Sequence, residues 1–392
     1  MSGIITGRIA LSGIGSVQCL HGRNGKRVMD PKGKEIKQIV MAEYQGRCDE
    51  EGTAVGHAPK VLGEYAAFLR PEYAPRILAP RCVLRACGKA GREGAKVLPH
   101  HIVMKAHPSF FEKVANKLRM FANIRIVLKQ AGGDTVWFFN TEFYLCLYLA
   151  LFGNSGKRIV FTSFKEAYDG GRLGGIKQKI FERAQKRMAL IISSGEDFRF
   201  KNAPSVYLPD YACDEKLFAP YREKERRPNA VCLGTMGAEK QLEEMVRTFT
   251  RLGFPLTVAG RFYDRERLKR LKEAAGDNIT IRDEYLSREE YLRLLGRASH
   301  VVLPYAPEQY GSQTSGVLQE ALFLDTVIVA PEKVLKGNHV PGLGFESWDA
   351  LKAEALYEDT AELRRQYAQL RSGIYSKEHM KKTILECMED RK

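Results

Sequence analysis

The sequence predicts an α/β protein built from two tandem doubly wound domains whose strand ends face a central cleft. Three observations predict it. Short β-branched runs alternate with helical runs along most of the chain, the pattern of a parallel sheet covered by helices on both faces. The alternation stops at a charged stretch, residues 221–228, and restarts cleanly at Ala230. Glycine-containing loops follow several strands and open helices, an arrangement that favours anions.

A length of 392 residues allows two domains, each able to bury its own core. The longest apolar run, residues 143–152, is shorter than the roughly 18 residues a membrane helix needs, and predicts a buried helix. Eight cysteines without a Cys-x-x-Cys pair suggest neither a disulfide framework nor a zinc knuckle, and fit a reducing cytoplasm. The net charge of +15 is uneven. Residues 81–130 hold eleven Lys and Arg against Glu93 and Glu112, a local +9. Such a surface attracts anionic lipid, nucleic acid or a phosphate-bearing substrate. The plain alternative is a solvated basic face.

In chain order, residues 1–35 are rich in Gly, Ser, Arg and Lys and are expected as an N-terminal extension, a loosely ordered arm or hairpin. The first domain, 36–220, starts with a strand at 37–42 and a glycine-rich loop at 46–56. A helix at 57–69 follows, with Val61, Leu62, Tyr65, Ala66 and Leu69 on one face. A strand is expected at 76–79 and a helix at 109–129 with Ser109 as N-cap. Phe110, Phe111, Val114, Leu118 and Phe121 recur there at helical spacing among lysines, either as a core stripe or as a membrane-surface face. Strands at 135–139, 158–161, 190–193 and 205–208 alternate with helices at 143–152 and 177–189.

Residues 221–229 are the linker. The second domain, 230–358, carries strands at 230–233, 256–259, 279–281, 301–303 and 327–329, and helices at 238–249, 264–275, 288–298 and 315–323. The tail, 359–392, is helical in pattern.

The motifs gather at strand ends of the second domain. A strand ending at Leu303 runs into a loop rich in Gly, Ser, Thr and Gln that opens a helix. First-turn N–H groups have no partner inside a helix, and the dipole there is positive. Gly316 lets backbone approach a ligand, and Thr314 and Ser315 add hydroxyl donors. Glu320, one turn in, would repel phosphate but can accept hydrogen bonds from a sugar diol. The plain alternative is an ordinary joint with Ser315 as N-cap. Gly234-Thr235 follows the first strand ahead of Lys240, and Gly260-Arg261 follows the second. One pocket can use all three loops, with Lys240 and Arg261 neutralising a diphosphate.

These loops resemble those of glycosyltransferases of the GT-B fold, two Rossmann-like domains, and in particular the retaining glycosyltransferase family 4. The resemblance covers the layout of residues 36–375, and its specific motifs lie in the second domain. The family carries a glycine turn and lysine after the first strand, as at Gly234 to Lys240, and a glycine loop after the second, as at Gly260-Arg261. It then carries two glutamates separated by seven residues; Thr314-Ser315-Gly316-Val317-Leu318-Gln319-Glu320 matches the second half. The resemblance implies that Glu320 contacts the donor ribose and that the loop amides hold the diphosphate. Ser312 stands where the family has its first glutamate, and Glu308 or Gln313 could stand in from the same loop. On the acceptor side, Gly52 to Gly56 looks like a lengthened glycine loop. His57 is the candidate catalytic histidine, against a structural role at a helix start.

The implied activity is retaining transfer from a UDP- or GDP-sugar to a glycan or lipid-linked acceptor, in polysaccharide or glycoconjugate assembly. No cofactor is implied. No Asp-x-Asp pair occurs, so no metal is expected. The basic face at 81–130 suggests a cytoplasmic protein, peripheral on the inner membrane face. Two rivals are a GT-B enzyme of another kind, such as a nucleotide-sugar epimerase, and a non-catalytic binder of polyanions or nucleic acid. A catalytically inactive family member is a third. Nucleic acid is not expected as a partner, because the aromatics sit at core spacing on a helix, not interleaved on a sheet.

Overall fold

The computed structural model describes residues 35–389 apart from 56–57, 71, 88–91, 93, 106–107, 132–134, 140–142, 169, 210–212 and 308–314. It also describes the backbone of strands at 7–9, 17–22 and 25–29, and side chains from residue 36, 58–60 and 389 excepted. The chain forms two compact units. One is Met1–Ser193 with Asp197–Tyr207 and Ile384–Lys392; the other is Leu208–Thr383 with Ser194–Glu196.

Three antiparallel strands open the first unit: β1 (Gly7–Ile9), β2 (Val17–Gly22) and β3 (Gly25–Met29). They lie in the stretch read as an arm or hairpin, and β3 pairs with the start of β4 (Glu35–Ala42). The main sheet then adds β5 (Tyr73–Pro80), β6 (Lys96–Leu98), β7 (Thr135–Phe138), β8 (Arg158–Ser163), β9 (Met188–Ser193) and β10 (Ser205–Tyr207). These seven strands are parallel in the order β6-β5-β4-β7-β8-β9-β10. Helices α1 (Ala58–Phe68), α2 (Phe110–Gln130), α3 (Phe143–Phe152) and α4 (Gly174–Gln185) lie between the strands. Ile124 and Val127 of α2, Leu145 and Leu149 of α3 and Phe181 of α4 join one buried core with Phe138 and Phe161 of the sheet. The start of α2 is fixed as the sequence indicates. Ser109 Oγ accepts from the Glu112 amide at 3.2 Å, and a Glu112 carboxylate oxygen accepts from the Ser109 amide at 2.8 Å. The helix expected at 177–189 is corrected to 174–185, because Met188 and Ala189 are drawn into β9.

The second unit repeats the plan with six parallel strands: β11 (Ala230–Leu233), β12 (Leu256–Gly260), β13 (Ile279–Asp283), β14 (His300–Val302), β15 (Val327–Pro331) and β16 (Leu343–Phe345). Their order is β13-β12-β11-β14-β15-β16. Both sheets thus have the Rossmann-type order, whose topological switch point lies beside the first strand. Helices α5 (Leu242–Leu252), α6 (Arg265–Ala274), α7 (Arg288–Arg297) and α8 (Gly316–Leu324) connect the strands. The expected helix start at 238 moves to 242, because residues 237–241 form a tied turn described below. Its far end is closed by Gly253 in the left-handed conformation.

The charged stretch 221–228 is anchored on this second unit. Arg222 donates to the carbonyl of Phe323 at 3.1 Å, and Arg226 to those of Asp325 at 2.7 Å and Ala298 at 3.1 Å. Arg226 also donates to the Leu324 carbonyl. The last carbonyls of α8 have no partner within the helix, so two arginines meeting them stabilise its C-terminal end. The helical tail divides into α9 (Ala361–Ser372) and α10 (Lys377–Glu389). Within the first unit, Arg158 of β8 donates to the Met388 carbonyl at 2.6 Å.

Candidate functional site

The site is built from the loops that leave β11, β12 and β14. Gly234 takes φ +98° directly after β11, and Gly260 takes φ +152° at the end of β12. The two pack so closely that a Cβ on Gly260 would lie 1.7 Å from the Gly234 carbonyl oxygen. Only glycine tolerates both the angle and the contact. Past this point the loops stay joined: the Gly234 amide donates to Ala259 at 3.2 Å, and the Met236 amide to Arg261 at 3.0 Å.

The first loop is also tied to the third. Gln241 donates its amide to Pro304 at 2.6 Å, and Ala306 donates to Glu239 at 3.2 Å. Lys240 and Tyr305 form an antiparallel bridge. Arg267, from α6, braces the turn. It donates to the carbonyls of Gly237 at 2.8 Å and Lys240 at 2.6 Å, and grips the Glu243 carboxylate at 2.9 and 2.6 Å. That grip holds the Glu243 carboxyl below its ordinary pKa. Lys240 is buried, its ammonium 3.2 Å from the Leu233 carbonyl and 5.8 Å from the centre of the Tyr305 ring.

Three predicted loops are therefore gathered at the switch point between β11 and β14. Arg261 stands exposed at this edge, and its guanidinium has no hydrogen bond or ion pair among the described residues. Thr235 is exposed as well.

The helix behind the third loop differs from a simple capped joint. Ser315 occupies the N-cap position of α8 without making a side-chain cap. Its hydroxyl instead lies 2.8 Å from the buried Tyr305 hydroxyl. Burial raises the Tyr305 pKa, so the phenol stays protonated. The first-turn amides of α8, at Gly316 and Val317, are thus left uncapped by Ser315. Glu320 is buried one turn on, and its carboxylate accepts from Arg288 of α7 at 2.5 Å. Arg288 in turn stacks near the rings of Phe218 and Tyr291.

Gly234, Lys240, Arg261, Ser315, Gly316, Val317 and Glu320 lie on these loops and on α8. Glu308, Ser312, Gln313 and Thr314, and Gly56 and His57 on the first unit, fall outside the described residues. Gly52 is described, in a turn with φ +79° closed by Asp49, whose carboxylate accepts from the Glu51 and Thr53 amides. Arg267, Tyr305 and Arg288 were missed. Arg267 and Arg288 act on partners 24 to 32 residues away, which no local pattern signals. Tyr305 carries no distinguishing signal either, because Pro220-Tyr221 repeats the same pair ahead of a charged stretch.

Similarity to solved structures extends over the whole layout. The N-terminal domain of a trehalose-6-phosphate phosphatase from Candida albicans aligns with a TM-score of 0.63 at 10% identity, over 91% of this chain and 97% of that one. HepE from Anabaena, in complex with UDP and glucose, aligns at 0.60 and 12%, over 90% and 99%. The trehalose-6-phosphate synthase OtsA from E. coli, bound with UDP-2-fluoro glucose, aligns at 0.62 and 10%, over 90% and 99%.

The chain has the GT-B fold.

At this identity the likeness establishes the architecture, two Rossmann-like domains, and leaves the chemistry to the site. No protein-family model matches the sequence, and no curated protein matches it.

Proposed function

We propose that the protein is a glycosyltransferase. It moves a sugar from a nucleoside-diphosphate donor, a UDP- or GDP-sugar, to a glycan or lipid-linked acceptor in polysaccharide or glycoconjugate assembly. The observation that carries this is the joined switch point of the second unit. Gly234 and Gly260 make a close floor, Arg261 is unpaired among the described residues, and the first turn of α8 is uncapped by Ser315. Such a floor accepts a diphosphate on backbone amides and a guanidinium. HepE and OtsA, which share the fold, hold UDP or a UDP-sugar in their structures, which supports a nucleotide-sugar donor here.

In this account Thr314, Ser315, Gly316 and Val317 line the phosphates with Gly234 and Thr235. Glu320 receives the ribose diol, exchanging its bond with Arg288 for the ligand. Lys240 and Arg261 offset the charge that builds on the leaving diphosphate. Transfer with retention follows if that diphosphate takes the acceptor proton on the same face, which needs no protein base. The first domain, residues 36–220, carries the acceptor, with Gly52, Gly56 and His57 on its side, and Glu308 is the catalytic candidate of the donor loop. The linker is 221–229, the donor domain 230–358 and the helical tail 359–392. The setting of this reading is the cytoplasm, with a peripheral place on the inner membrane face from which a lipid-linked acceptor is reached.

Thermal melts with UDP, GDP, ADP and dTDP test the donor site. At about 100 times its dissociation constant a ligand adds roughly 2.7 kcal/mol. One nucleotide is expected to raise Tm, and Glu320→Ala to lose that rise relative to its own unliganded melt. No rise with any of the four would count against the proposal.

A further inference from the structure

The first unit carries an apolar face that no other part of the described chain covers. At 100° per residue, Phe110, Phe111, Val114 and Leu118 of α2 fall within one arc of about 100°. Phe110 is 73% exposed, Phe111 82% and Leu118 64%. The buried residues of the same helix, among them Met120, Ile124, Val127 and Leu128, all lie beyond Leu118, so the exposed stripe belongs to its first half. The stripe continues through Phe121, whose ring lies 6.4 Å from that of Phe152 on α3. Phe152 is 63% exposed and Leu151 60%. Two helices thus present one apolar strip.

The charges around it are of one sign. α2 carries Lys113, Lys117, Arg119, Arg125 and Lys129 against a single acid, Glu112. Glu112 is already engaged, by the Ser109 amide and by Lys105 at 2.6 Å. Arg125 and Lys129 are exposed and continue the same arc about two and three turns beyond Leu118. Lys113 and Lys117 edge it on one side.

From this juxtaposition we infer that the exposed face of α2, with the end of α3, docks on a bilayer surface rich in anionic lipid. Phe110, Phe111, Leu118 and Phe152 enter the acyl boundary, and the lysines and arginines meet the headgroups. Charge complementarity selects this occupant. A second copy of the chain would set Lys113, Lys117, Arg125 and Lys129 of one α2 against the same four of the other. No helix of the described chain is long and apolar enough to cross a membrane, so attachment would be at the surface. The inference is independent of the glycosyl-transfer proposal and would stand if that failed.

The test is cosedimentation of the full chain with vesicles of phosphatidylcholine alone, or with about one third phosphatidylglycerol. The expected result is at least about tenfold tighter binding to the anionic vesicles, weakened by salt. Phe110→Ser with Phe111→Ser should lower binding about tenfold or more at unchanged Tm, because both rings are exposed. Lys113→Gln with Lys117→Gln should lower it by a similar factor and flatten the salt dependence. Equal partition to both vesicles, or a double-phenylalanine variant that binds like the parent, overturns the inference. So does a dimer in size-exclusion chromatography that the phenylalanine changes dissociate while neither vesicle binds.

Discussion

The switch-point edges of the two sheets use their backbone amides in opposite ways. In the second unit the loops after β11, β12 and β14 are tied to one another, and the first turn of α8 is uncapped by Ser315. In the first unit the loop after β4 is tied to itself. The buried Glu43 carboxylate accepts from the amides of Gln45 at 3.0 Å and Gly46 at 2.6 Å. Gly46, at φ +59°, leaves no room for a side chain, since a Cβ there would lie 2.3 Å from the Pro80 ring, and Asn123 of α2 holds the Tyr44 carbonyl at 2.8 Å. An internal carboxylate thus occupies amides of the kind an anion would need. The same order of strands gives one edge suited to phosphate and one that has already supplied its own anion.

The largest effect should come from closing the glycine contact. Gly260→Ala puts a methyl group into the Gly234 carbonyl at a backbone angle an L residue rarely takes. A cost of about 4 kcal/mol or more is expected, seen in urea denaturation as early loss of the second unit. A stability within about 1 kcal/mol of the parent would mean the two loops are not joined as described.

Next comes a pH effect confined to the second unit. Burial, then Arg364 and Arg226, push the His300 pKa down to about 4. The unfolded imidazole titrates near 6.5. The buried neutral ring therefore contributes its full stability above about pH 6.5, and loses it as pH falls towards 4. The linked loss is about 3 kcal/mol across that window. His300→Phe should flatten the dependence of unfolding free energy on pH between those values. Parallel curves for the two proteins would remove His300 from the account.

A smaller and more local effect is expected from Arg267→Ala. It frees the carbonyls of Gly237 and Lys240 and the Glu243 carboxylate. A loss of about 2 kcal/mol in stability is expected, with weaker nucleotide binding by calorimetry. Unaltered nucleotide affinity would show that the turn at 237–241 does not shape the site.

The alternation of strands and helices made both sheets legible from the sequence except for their edge strands β6 and β16, and the positions of Gly234, Gly260 and Arg261 at strand ends and of Glu320 one turn into a helix followed from it. The cross-links between loops were not legible. Arg267 grips residues from 237 to 243, and Arg226 reaches Ala298 and Asp325. Each joins segments that only the folded sheet brings together. Ser315 illustrates the same limit at short range. Its residue type and place signal an N-cap, yet Tyr305 offers a buried hydroxyl that takes it instead.

The most direct measurement is hydrogen–deuterium exchange with and without the nucleoside diphosphate that raises Tm. Slower exchange is predicted at 234–241, 260–262 and 315–324, with residues 43–55 unchanged. Protection at 43–55 alone, or at neither edge, would contradict the assignment of the phosphate site to the second unit.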